Sequence, residues 1–138
     1  MSVVTTNEIQ EALLQTLKST ATVVAKLASA SAIKEDQWHG THFVYPCIRV
    51  NVSFHAILVL HCSLYRTQII IDCYSEKPSS YEANDIADTV LQAIDLDLVY
   101  NNTIKFNDIG SFILPAQRID EDTWLSKVNL TYLTQRVK

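Results

Sequence analysis

The sequence predicts an α+β fold: two helices packed on one mainly antiparallel sheet of four to five strands, in the order α-β-β-(β)-α-β-β. Three observations carry that expectation. Thr67 to Tyr74 reads as a strand with Ile69, Ile71 and Cys73 on one side, because side chains alternate at period two. From Ser80 to Ile94, the residues Ala83, Ile86, Ala87, Val90 and Ile94 return every three or four positions and form one apolar stripe on a helix. Thr103 to Phe106 then resumes extended structure. A strand face and a helix stripe this close in the chain are expected to bury each other, with the remaining chain extending and covering the sheet.

In chain order, a first helix is expected to start at Asn7, with Gln10 reaching back to close a capping box. Ile9, Leu13, Leu17, Val24 and Ala28 keep to one face, widened by Leu14, Ala21 and Leu27, for a helix of about 20 residues. Ala28 to Ile33 reads as its fraying end, and the polar stretch Lys34 to Thr41 as a connection turning at Gly40. Cys47 to Phe54 alternates, with Ile48, Val50, Val52 and Phe54 inward and Arg49, Asn51 and Ser53 outward. His55 to Arg66 is undecided between strand and packed connection. Pro78 ends the next strand, and Ser79 with Glu82 forms a second capping box.

After Ile94, the polar residues Asp95, Asp97, Asn101 and Asn102 read as a helix exit and turn. Ile104 to Leu114 is extended with a break near Asn107 to Gly110, and Pro115 ends it. Ile119 to Thr123 is an acidic turn. In the last strand, Trp124 to Thr134, the parity of Trp124, Val128, Leu130 and Tyr132 is the core candidate. Leu125 and Leu133 fall on the more polar face, either as a subunit contact or as scattered surface apolar groups. Nothing resembling a linker or repeat divides the chain, so residues 1–138 read as one domain.

Composition narrows the function. At 138 residues and 48% apolar, the chain can bury a substantial core. A net charge of -4 with basic residues scattered singly offers no patch for a duplex backbone. Two glycines leave no room for a dinucleotide fingerprint or a phosphate-cradling loop. Ala56 to Leu60 is too short to cross a bilayer, and Met1 to Thr6 lacks the pattern of a signal peptide, so synthesis in the cytosol is expected. Cys47, Cys62 and Cys73 are then expected as reduced, buried thiols, and the sequons at Asn51, Asn101 and Asn129 as chance matches.

No reactive constellation stands out. His39, His42, His55 and His61 have no partner donors at metal spacing, and His61 and Cys62 would point to opposite faces of a strand. No cysteine, serine or histidine sits in a nucleophile elbow. Asp120, Glu121 and Asp122 are contiguous, which suits a solvated turn better than paired acid/base work. Trp38, Tyr45, Tyr65 and Tyr81 fall near element ends, where each either closes its own core or meets another subunit. Arg49 is either a solvated cation or half of an ion pair across an oligomer contact. No cofactor is expected.

One stretch has a family character. Trp38-His39-Gly40-Thr41-His42-Phe43-Val44-Tyr45-Pro46-Cys47-Ile48-Arg49-Val50 resembles the start of the sheet in tail terminator (tail completion) proteins of long-tailed bacteriophages and prophage-like elements. Ser79 to Ala87 resembles that family's sheet-covering helix where it begins, and Ile113 to Arg118 with Thr123 to Val128 its closing strand region. The resemblance spans residues 8 to 134, with no counterpart for His55 to Arg66. It implies a non-enzymatic virion subunit that assembles as a hexameric ring at the head-proximal end of the tail and ends tube polymerisation. Its implied partners are copies of itself, the tail tube protein, and a head-completion or connector protein, with no nucleic-acid sequence recognition and no membrane.

Joined to the residue reading, the candidate interface residues are Trp38, Tyr45, Arg49, Arg118, Asp120, Glu121, Asp122, Trp124, Leu125 and Leu133. The Ile57 to Leu60 run is a further apolar patch available to a ring joint. Three other readings stand beside this one: a neighbouring head-tail joining protein, a regulatory interaction module, and a small cytoplasmic enzyme or ligand-binding subunit. The enzyme or ligand-binding reading requires a pocket where His55, His61 or a cysteine converges with Asp72.

Overall fold

A computed structural model describes residues 3–27, 29–35, 44–59, 64–94, 97–100 and 104–136. The elements are α1 (Thr6–Ser19), a single turn α2 (Ala21–Val24), β1 (Ile33–Glu35), β2 (Cys47–Val59), β3 (Leu64–Ser75), α3 (Tyr81–Ala93), β4 (Asp97–Tyr100), β5 (Ile104–Arg118) and β6 (Trp124–Arg136). The strands form one sheet in the order β1-β2-β3-β6-β5-β4, antiparallel throughout except for β1 against β2. The fold is α+β with a mainly antiparallel sheet, as the sequence predicts. It has six strands rather than four or five, because β1 straddles the expected fraying end and polar connection and β4 lies in the expected turn. Strands of three and four residues are too short for periodicity to reveal.

The helices cover one face. Ile69, Ile71 and Cys73 of β3, Ile48 and Val50 of β2, and Val128, Leu130 and Tyr132 of β6 are fully buried there. They meet Ile9, Leu13 and Leu17 of α1 and the expected α3 stripe of Ala83, Ile86, Ala87 and Val90, all but fully buried. The row Val50–Ile71–Val128, three apolar side chains side by side on successive strands, is the middle of this core.

Helix ends differ from expectation. α1 is capped by Thr5, not Asn7: Thr5 Oγ1 accepts from the Glu8 backbone N–H at 3.2 Å and Glu8 Oε1 accepts from the Thr5 N–H at 3.1 Å. The helix stops at Ser19 because Thr20 turns to extended backbone (φ -90°, ψ 108°), so the long helix divides at that point. Thr16 and Thr20 hydroxyls bond carbonyls four residues back, a pattern that bends helices. The second expected box also fails: α3 starts after Ser80, and Glu82 instead accepts from Ser75 Oγ at 2.7 Å.

The strands differ where bulges intervene. In β2, Val52 faces Ile69 but Phe54 faces Gln68, so Ser53 is an extra residue and the alternation inverts. Phe54, expected inward, therefore stands half exposed on the helix-free face, and His55 turns inward. His55 stacks on Tyr65 (4.3 Å between ring centroids) and bridges Thr67 Oγ1 and the Val4 carbonyl, each at 2.8 Å. That carbonyl can only accept, so Nε2 carries a proton. The undecided 55–66 region thus continues both strands as far as Val59 and from Leu64. In β5, the expected break is a bulge between Asp108 and Gly110. Pro115 does not end the strand; it lies in a second bulge between Leu114 and Gln117, where an outer strand tolerates its missing N–H.

The chain's two ends are tied together. Arg136 Nη1 and Nη2 grip the Glu8 carboxylate through two bonds of 2.8 Å, and Nη2 also bonds the Val3 carbonyl. Arg136, followed by the Thr5 contacts acting against partial burial, lowers the Glu8 pKa from 4.5 to about 2. The folded pKa lies below the unfolded one, so this contribution is complete above pH 4.5 and disappears as pH falls toward 2. The pair is partly exposed and screened, so it contributes on the order of 1 kcal/mol or less. Urea denaturation of Glu8→Gln should show a lower midpoint than wild type at neutral pH, with the difference closing in acid. A gap that persists unchanged at about pH 2 contradicts the assignment.

Candidate functional site

Opposite the helices the sheet presents a second face. The register aligns Cys47–Tyr74–Leu125–Gln117, then Arg49–Asp72–Lys127–Leu114, Asn51–Ile70–Asn129–Phe112, and Phe54–Gln68–Thr131–Gly110 as successive rows across β2, β3, β6 and β5. The middle of this face is polar and satisfied: Lys127 Nζ donates to Asp72 Oδ1 at 3.0 Å, and Gln68 Nε2 donates to Asn129 Oδ1 at 2.9 Å. Its rims are apolar. Phe54 on β2, and Phe112 and Leu114 on β5, are each about half exposed.

Arg49 corrects the expectation most clearly. It is not a solvated cation but 5% exposed, and its Nη1 donates to the carbonyls of Ala32 and Ile48, both at 3.0 Å. The guanidinium therefore ties the chain just before β1 to β2. It serves the fold within the subunit.

Arg118, Asp120, Glu121, Asp122 and Trp124 do come together, in the hairpin turn between β5 and β6. Arg118 donates from Nε to the Asp120 carbonyl (3.1 Å) and from Nη2 to the Glu121 carbonyl (2.9 Å). Asp120 Oδ1 accepts from the Asp122 N–H at 2.9 Å, and Ile119 N–H donates to the Thr123 carbonyl at 2.9 Å. The Asp122 N–H, followed by Thr123, holds the Asp120 carboxyl below its ordinary pKa. The turn is internally hydrogen-bonded and presents three exposed carboxylates, while the arginine is engaged inside it. Trp124 is half-buried beside Arg118.

Tyr45 is half-buried with its ring edge-to-face on Tyr74 (6.4 Å), and burial raises its pKa. Leu125 and Leu133 are half-buried on the helix-free face. Trp38 lies outside the described residues, as do His39, His42, His61 and Cys62. Sequence reasoning missed Phe54, Ile109, Phe112, Leu114 and Ile119, all about half exposed. Alternation alone would have flagged Phe112 and Leu114 as sharing a parity, but their partner face could not be read without the bulges. Ile57 and Leu58, noted as a possible patch, are each 51% exposed.

Among the described residues, reactive groups do not converge. His55 points to the helix side while Asp72 lies on the other face, so the pocket required for an enzyme or ligand site is not formed from these two. Burial pushes the Cys47 thiol up to about 11, with Arg49 pulling the other way, and raises Cys73 further. Neither is a nucleophile at neutral pH. Among the described residues, no three histidine, cysteine or acidic side chains are grouped to hold a metal ion. Two hollows among the described residues are shallow, one of 270 Å³ beside Phe54, Arg66, Gln68 and Thr131 and one of 370 Å³ between α3 and β5. In the second, Asp108 is already engaged by the Gly110 N–H and the Ser111 hydroxyl.

No protein-family model matches the chain, and no curated protein does. In fold the chain is similar to a chain in the virion of a native gene transfer agent (GTA) particle, with a TM-score of 0.63 and 18% sequence identity. The match covers 94% of this chain and 95% of that one, so the two share essentially their whole architecture. Replacing Arg49 by alanine should lower the unfolding free energy by about 2 kcal/mol, the order expected for charge-assisted hydrogen bonds lost inside a protein. Chemical denaturation checks this, and an unchanged midpoint contradicts the structural role given to Arg49.

Proposed function

We propose that this chain is a structural subunit of a phage-like virion, and that it forms a ring which ends tail-tube polymerisation and presents the tail to the head. The observation that carries the reading is the end-to-end fold shared with a chain of a gene transfer agent virion. The terminator-like phrases in Trp38 to Val50 and Ile113 to Val128 support the finer assignment to the head-proximal end of the tail. So does a surface whose distinctive features suit docking: apolar rims, a hydrogen-bonded acidic turn and no assembled reacting group among the described residues. Copies of itself, the tube protein and a head-side connector are the partners this role requires. A cyclic ring needs two different patches on each subunit that meet around a closed rotation.

Light scattering on the full chain over a range of concentrations, and again with isolated tail tubes, tests the ring. A species near six subunits, in solution or on tubes, is expected; monomers under both conditions contradict it. Changing Asp120, Glu121 and Asp122 to Asn, Gln and Asn should leave the fold intact and weaken attachment to tubes at low salt. The wild-type advantage should shrink as salt rises, because exposed charges are screened. Equal attachment at low salt excludes the acidic turn as a contact.

A further inference from the structure

We propose that neighbouring copies of this chain join by continuing the sheet, with Ser53–Leu58 of β2 in one copy pairing antiparallel to Ile109–Leu114 of β5 in the next. This rests on the ring reading and specifies its joint. Among the described residues, β1 covers β2 only at Ile48–Val50 (through Ile33–Glu35), and β4 covers β5 only at Ile104–Asn107. Beyond those short strands, no described residue pairs with the outer edge of either long strand.

Direction makes the two edges complementary. β2, β3, β6 and β5 alternate, so β2 and β5 run opposite ways. A second copy rotated about an axis roughly along the strands keeps its orientation, and its β2 arrives antiparallel to β5. An even number of long strands is what permits this; with an odd number the same joint would be parallel. The junction uses two different edges, so it can close on itself, and closure removes both open edges.

Side chains agree with that joint. Phe54 (49% exposed), Phe112 (50%) and Leu114 (46%) lie on the same helix-free face at its two opposite edges. Continuing the sheet brings Phe54 of one copy beside Phe112 or Leu114 of the next, as a direct or diagonal cross-strand pair. The open stretches are bounded as well. The Ala116 N–H is taken by Asn84 Oδ1 at 2.7 Å, which ends the stretch after Leu114, and within it the Gly110 N–H is already taken by Asp108 Oδ1. Asn51 to His55 is level with Phe112 to Asp108, so fuller overlap requires a stagger between copies, the shear that tilted strands in a closed barrel supply.

Size also bears on the occupant. Six residues a side bury on the order of a few hundred Å² per partner, short of the roughly 800 Å² typical of a stable pair. A single joint is therefore weak, and a closed ring in which every copy makes two is favoured over a dimer.

The test is thiol cross-linking of the full chain carrying Phe54→Cys and Phe112→Cys, with each single variant and wild type as controls, under conditions where light scattering reads a ring. The double variant should give a ladder ending at the ring number on a non-reducing gel, and each single variant should stay monomeric. Dimers from either single variant, at comparable yield, would mean like edges pair and overturn the joint. A ring by scattering without cross-links also overturns it but leaves the ring reading standing; monomers without cross-links remove both. As a check independent of cysteine, Phe112→Asp alone should weaken assembly by about tenfold. Adding Phe54→Arg should restore it, and failure to restore counts against the pairing.

Discussion

The pairing of β3 on both its edges, with β2 and with β6, is the constraint from which the rest of the molecule follows. Ile69, Ile71 and Cys73 are completely buried at its centre, so the helices must lie on that side. The chain then leaves through α3, runs out along β5, and returns as β6 into the place beside β3. That return pushes β5 outward, leaving β2 and β5 as the long outer strands. A small protein with two long, partly apolar outer strands carries an association liability unless something meets them.

The two faces of the sheet differ in kind. On the helix side the Thr67 and Thr134 hydroxyls meet at 3.0 Å beside His55. On the other side an ion pair and an amide pair sit among half-exposed apolar groups, and no nucleophile, base and orienting acid meet at one point among the described residues. Such a mixture, polar groups already satisfied and apolar groups at the margin, suits contact with protein rather than chemistry on a small substrate. It is in keeping with the proposed role as a virion subunit.

Much of the fold was legible because its long elements obey simple periods. The β3 face, the α3 stripe and the core parity of β6 stand as the sequence predicts. Failures cluster where one extra residue or one competing bond decides. Ser53 inverts the second half of β2, exchanging the sides of Phe54 and His55, and nothing local announces a bulge. Thr5 displaces Asn7 as the cap through a local box with Glu8 three residues on, a pairing the sequence itself carries. Arg49 sits at an outward position by alternation, yet its reach to the Ala32 carbonyl depends on β1, which was too short to see. The acidic turn was found, since contiguous charges need no tertiary knowledge. The apolar rims were largely missed, because being at an edge is a property of topology and not of composition.

Hydrogen exchange tests the central claim, that two opposite sheet edges are joined when copies assemble, without altering a residue. In dilute protein, amides of β3 and of the β3-facing side of β6 should be the slowest, with Ser53–Leu58 and Ile109–Leu114 containing fast-exchanging positions. On assembly, protection should rise in those two segments together while β3 is unchanged. Assembled protein in which both segments exchange as fast as in the monomer would contradict the account.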